Sequence, residues 1–324
     1  MSLNPYSGND FFTFFLTIIQ RMFSFSFPLY TDEIQFLALV MVSVASAITG
    51  SFLVLRKMSM LANALSHTIL LGIVLSFLIL KAFNPLLTTF SLSMESMFLA
   101  SLLTGVLTNF ITDFLHKTFK LQEDASIGLV FTTLFAIGII LVTLFTKNSH
   151  IGTEVVMGNV DALQENDLNL IFYILLINIA ITFLCFKEYK ITTFDSALAF
   201  SMGLSPIFFS YLLMVQVSLT VIGAFRAVGV LMVLTFLVGP CLIAKLFVHS
   251  LLKMILLSCF IGSMSSILGV AISRHILSIW DTPLSTGGIV VTLIGLIYLI
   301  AIFIKILKNF YQNYKKKPLK PLEL

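Results

Sequence analysis

The residues best suited to chemistry stand in the stretch RKMSMLANALSHTILLGIVLSFLILK, where Asn63 and His67 are four apart. Four residues is close to one helical turn, so the two side chains share a face, with Ser66 beside them. Counted from Lys57, His67 lies ten residues along the chain, roughly 15 Å on a helix. That depth is near the middle of a hydrocarbon core about 30 Å thick. An imidazole there is costly to leave facing lipid and should face a cavity or a partner. Neutral imidazole suits Mn²⁺, Fe²⁺ and Zn²⁺, and an amide oxygen is a weaker ligand for the harder ions. A second role fits the same residues: a histidine bonded to a neighbouring helix backbone that holds a bundle together. Spacing alone leaves both open.

Three other stretches carry polar groups of interest. The segment NSHIGTEVVMGNVDALQEND (148–167) holds Glu154, Asp161, Glu165 and Asp167 and no Lys or Arg. It reads either as a vestibule that concentrates cations or as a solvated loop, and the lone His150 within it is a weak candidate ligand. The segment KEYKITTFDSALAFSMGLSP (187–206) reads as a long loop with a short helix, capped by Asp195 or Ser196 and ended by Gly203. Such a helix would dock on a soluble partner or serve as a connector. In SRHILSIWDTPLSTGG (273–288), Trp280 and Asp281 offer unspecific contacts for an external protein.

The elements that must position these groups follow from composition. Of 324 residues, 58% are apolar and 10% charged, with 32 Phe, and mean hydropathy is +1.05. That charge cannot cover the surface of a soluble domain, so the apolar excess must face lipid. Spanning helices need about 20 apolar residues, and windows at 34–55, 60–81, 94–115, 126–146, 168–186, 208–224, 227–248, 251–273 and 286–307 meet this. The expectation is an all-α polytopic membrane bundle of about 8–9 transmembrane helices. Only Phe225 and Arg226 divide the sixth window from the seventh, so a broken helix fits there too. Residues 1–33 read as an interfacial or re-entrant lead-in, 34–307 as the membrane domain and 308–324 as a basic tail.

Loop charge sets the orientation. Arg21, Lys81, Lys147, Arg226 and Arg274 fall on one side, and the other fourteen of the 19 Lys and Arg fall on the opposite side. The positive-inside rule then places the C-terminus in the cytoplasm, its KKKPLKP run near anionic headgroups. The net charge of +4 sits in loops and the tail rather than on one face, and suggests no nucleic-acid partner. Cys185, Cys241 and Cys259 lack ligand spacing and read as small buried side chains. Ser43/Ala47, Ser46/Gly50, Gly262/Ser266 and Ser265/Gly269 are small-xxx-small pairs that let helices approach closely. The chain carries no phosphate-binding GxxxxGK[ST] loop, HExxH or nucleophile elbow. Any ATP hydrolysis must come from another polypeptide, and no catalytic site or permanently bound cofactor is expected.

The stretch GSFLVLRKMSMLANALSHTILLGIVLSF resembles the second-span signature of the manganese/zinc/iron permeases of bacterial ATP-binding-cassette importers. Four more segments are similar to that family: EDASIGLVFTTLFAIGIIL, FDSALAFSMGLSP, VGVLMVLTFLVGPCLIAKL and DTPLSTGGIVV. The resemblance implies an inner-membrane, non-enzymatic transport subunit that works with cytoplasmic ATPase subunits, an extracytoplasmic metal-binding protein and a second permease copy or sister permease. It implies that His67, with Asn63 and Ser66, contacts the transported Mn, Zn or Fe ion. In the family's DALSH segment the first residue is Asp, and here it is Asn63, which removes a negative charge from a dication site. The resemblance also makes Asp195, Ala197, Ala199 and Gly203 part of the ATPase-coupling helix, although the acidic residue common in importers is absent at Ala197. The rival from another class is an ATP-independent secondary cation transporter, which would want carboxylates at mid-depth. Glu95 and Asp113 lie near span ends instead.

Overall fold

Long apolar runs in lipid must satisfy every backbone N–H and C=O internally, which leaves the helix as the economical solution for each run. The computed structural model describes residues 6, 11–24, 29–83, 94–146, 160, 163–282 and 284–316, and no strand occurs among them. In chain order the helices are α1 (Phe11–Phe23), α2 (Thr31–Leu55), α3 (Ser59–Phe83), α4 (Met94–Phe119) and α5 (Glu123–Thr146). After these come α6 (Glu165–Leu184), α7 (Phe186–Phe194), α8 (Ser196–Ser201), α9 (Pro206–Val228), α10 (Val230–Phe247), α11 (Leu251–Trp280) and α12 (Thr286–Lys316). Seven of the nine apolar windows fall within one helix, while 168–186 runs past Leu184 and 227–248 straddles Gly229, and six described stretches are long and apolar enough to cross a membrane. The chain is a helical membrane bundle.

Helix α2 is the hub and packs against α6, α9, α10 and α11. Its small residues explain why. A Cβ added at Gly50 would collide with the Leu237 carbonyl of α10, and one added at Gly262 would sit 3.2 Å from Ser43. Ser266 Oγ donates to the Leu39 carbonyl at 3.4 Å, and Cys241 Sγ lies 3.5 Å from the Ala47 carbonyl. The small pairs and the buried Cys241 therefore serve close helix approach. Cys185 and Cys259 are only partly buried.

Two expectations need correction. The division between α9 and α10 is not at Phe225–Arg226, because α9 runs on to Val228 and breaks at Gly229. That glycine holds φ 79° and ψ 165°, a conformation essentially closed to other residues. Residues 187–194 are not loop but lie in α7. Helix α12 continues through 308–316, the first part of the expected basic tail.

The two ends of the bundle are chemically distinct. At one end Arg56 donates to Thr193 Oγ1 at 3.1 Å and Thr192 Oγ1 at 3.0 Å, which ties the α2–α3 turn to α7. Tyr211 of α9 donates to Asp113 of α4 at 3.3 Å nearby in the same layer. At the opposite end Arg21 of α1 pairs with Glu33, Tyr6 donates to the same carboxylate at 2.6 Å, and Arg274 lies 3.6 Å from Asp32. Phe14 and Ile18 of α1 are buried while Phe12 and Leu16 are exposed. Loops assigned to opposite sides from their charge thus sit at opposite ends.

Candidate functional site

His67 stands in the first half of α3, which packs on α4 and α5. Its ring is flanked by Phe131 and Phe135 of α5, each 5.1 Å away centroid to centroid. Those two rings lie 5.9 Å apart and nearly parallel, at 22°. They are four residues apart on one helix face, which is the spacing that lets them act as a pair. The Nδ1 atom of His67 is buried and has no hydrogen-bond partner among the described residues. A buried ring nitrogen normally finds a partner, so Nδ1 is open to one that the described residues do not supply. Asn63 is half-buried one turn before it on α3; Ser66 is in the same helix, and its side chain lies outside the described residues. No cluster of three His, Cys, Asp or Glu occurs among the described residues.

The second predicted element is built from its caps. Asp195 Oδ1 accepts from the Ala197 and Leu198 amides at 3.0 and 2.9 Å, so Asp195 rather than Ser196 starts α8. The far end closes with Gly203 N–H to the Phe200 carbonyl and Leu204 N–H to the Ala199 carbonyl, both 3.0 Å. With Gly203 at φ 79°, these two bonds form a Schellman motif. Ser205 then caps α9, its Oγ 3.4 Å from the Phe208 amide, with Pro206 in the first turn. Ala199 is fully buried against the bundle. Phe194, Leu198, Phe200 and Met202 are exposed, Phe200 to 78%. Ala197 is exposed too, so of the three small residues only Ala199 packs inward.

Behind α8 runs a buried polar ladder absent from the sequence reading. Tyr189 of α7 donates to Gln216 Oε1 at 2.6 Å, and Gln216 Nε2 lies 3.4 Å from Thr182 Oγ1 and from the Asn178 carbonyl. Asn178 in turn donates to Thr220 at 2.7 Å. Burial pushes the Tyr189 phenol well above its ordinary pKa, so it stays a donor. The polar residues of α6 and α9 were visible as letters, but nothing local pairs them.

Glu154, Asp161 and His150 of the acidic segment lie outside the described residues. Asp167 turns back on its own helix, accepting from the Gln164 amide at 3.1 Å. Trp280 and Asp281 are exposed at the end of α11, with Asp281 left-handed at φ 51°.

The family model for the ABC 3 transport family matches residues 33–305. The chain belongs to this family. A probable metal transport system membrane protein of Chlamydia pneumoniae is 40% identical over 317 residues, covering 97% of this chain and 96% of that protein. The manganese transport system membrane protein MntD of Bacillus subtilis is 37% identical over 243 residues, covering 71% of this chain and 79% of the relative. Among solved structures, PsaBC from Streptococcus pneumoniae in complex with Fab superposes with a TM-score of 0.72 at 26% identity, over 90% of this chain and 96% of that one. The resemblance read from five sequence segments is borne out, and this ABC 3 family chain is a multi-pass membrane permease.

Proposed function

We propose that this chain is the membrane-spanning permease of an importer that carries a divalent transition metal ion, Mn, Zn or Fe, into the cytoplasm. In this reading an extracytoplasmic metal-binding protein delivers the ion to a path formed with a second permease copy or sister permease. Separate ATPase subunits dock on α8 and drive the helices between outward and inward access. The observation that carries the reading is a surface helix closed at both ends by Asp195 and Gly203, with Leu198 and Phe200 turned outward. An ATP-independent carrier has no use for a rigid apolar knob beyond the bundle. Two relatives described above are metal transport proteins by name, which supports the class of cargo.

His67, with Asn63 and Ser66, would contact the ion in passage. A buried ring nitrogen without a partner among the described residues, on a ring flanked by Phe131 and Phe135, supports a transient ligand. Conduction needs release as well as binding, and Asn63 in place of a carboxylate keeps the contact weak. The test is uptake of Mn²⁺, Zn²⁺ and Fe²⁺ into vesicles holding the chain with its partners, with and without ATP and with and without the ATPase. Uptake of one ion that needs both ATP and the ATPase supports the reading; uptake that proceeds without them returns the chain to the secondary-carrier class.

A further inference from the structure

A cavity of about 180 Å³ opens where the last turns of α4 meet the start of α9. Its wall includes Asn109, Asp113 and His116, at i, i+4 and i+7 on one face of α4, with Ser210 and Tyr211 of α9 opposite. Two details of bonding set it apart from an ordinary crevice, and Asn109, only 7% exposed as a residue, stands in its wall. His116 Nδ1 lies 2.8 Å from the Leu121 carbonyl. A carbonyl can only accept, so Nδ1 holds a proton, and in the neutral ring Nε2 then carries the lone pair with which histidine binds metals. Asp113 Oδ2 accepts from Lys117 at 2.7 Å and from Tyr211 at 3.3 Å, which leaves Oδ1 without a partner among the described residues.

We propose that this cavity is a second divalent transition-metal site, separate from His67, with Asp113 and His116 as its direct protein ligands and Asn109 in contact with the ion's bound water. Carboxylate oxygen and imidazole nitrogen together with water suit Mn²⁺, Fe²⁺ and Zn²⁺ better than either Mg²⁺ or a thiophilic ion. The volume holds an ion with several of its waters, each needing about 30 Å³. Lys117 is a built-in competitor. Its ammonium neutralises Asp113 when no metal is present, and its half-exposed side chain can swing to solvent when a dication arrives. The site is therefore weak by construction and fills only when free metal is abundant. Pro206 and Ile207, the first residues of α9 after α8, line the same cavity. A bound ion would fasten α4 to the segment that carries α8. On the reading that this end faces the cytoplasm, the site senses the delivered ion rather than the incoming one.

The experiment is a Mn²⁺ titration of the full-length chain in nanodiscs, followed by the paramagnetic resonance of free Mn²⁺, in a His67→Ala background so that the pathway site is silent. The expected result is one ion per chain, bound at least tenfold more weakly after Asp113→Asn or His116→Gln and several-fold more tightly after Lys117→Met. His116 is exposed, so its substitution carries the test if Asp113→Asn fails to fold. No bound ion in the His67→Ala background overturns the proposal. So does binding indifferent to Asp113→Asn and His116→Gln, or weaker binding after Lys117→Met, which would mark an anion pocket. Because the readout is binding and not uptake, a failed transport assay would sink the proposed function and leave this site standing.

Discussion

Replacing Asp195 by Ala removes both side-chain bonds that begin α8. A helix of six residues is far below the length that is stable by itself, so its start depends on that cap. Loss of an Asp cap costs about 1 kcal/mol, within a range of roughly 0.5–2. About 1 kcal/mol corresponds to about a fivefold fall in the ratio of formed to unformed α8, and the full range to about two- to thirtyfold. Since Asp195 is exposed and touches no transmembrane helix through these bonds, the bundle should fold as before. The ATPase's affinity for the permease in nanodiscs should therefore drop by up to that factor, with ATP-dependent uptake falling in step at limiting ATPase. Asp195→Asn and Asp195→Ser keep a cap and should stay near wild type. The reasoning fails if Asp195→Ala binds the ATPase normally, or if Asp195→Asn is as damaging as Ala, which would make the charge and not the cap the cause.

Phe200→Ala, which strips the most exposed apolar side chain of α8, should weaken ATPase binding by at least tenfold, measured in the same assay. Gly50→Val should prevent assembly of the bundle, because its side chain meets the Leu237 backbone, which cannot swing aside; recovery of monodisperse protein in detergent checks this. Tyr189→Phe should lower stability by about 1–3 kcal/mol by orphaning Gln216 Oε1. Adding Gln216→Met should restore part of the loss in thermal unfolding, since the unpaired group then disappears.

The spans were legible because lipid permits little else: each run of about 20 apolar residues became one helix within a few residues of its expected bounds. The caps of α8 were legible for the same local reason, since Asp195 and Gly203 act within their own turn. The end of α9 was misplaced because Arg226 looked like a boundary, whereas the backbone breaks only where Gly229 can take φ 79°. The α4–α9 cavity and the Tyr189–Gln216 bond join residues 98 and 27 positions apart, and no local pattern encodes such pairs. The His67 nitrogen that finds no partner among the described residues belongs to the same class, since only the fold places Phe131 and Phe135 beside its ring.

The central claim is that a metal ion passes His67 on an ATP-driven route, and metal uptake into sealed vesicles containing the permease, its ATPase and its binding protein tests it most directly. The account predicts that His67→Ala abolishes uptake of the transported ion while ATPase docking and ATP hydrolysis persist, and that Asn63→Asp changes the affinity or preference among Mn²⁺, Zn²⁺ and Fe²⁺. Uptake in His67→Ala equal to wild type would contradict it and return His67 to a packing role.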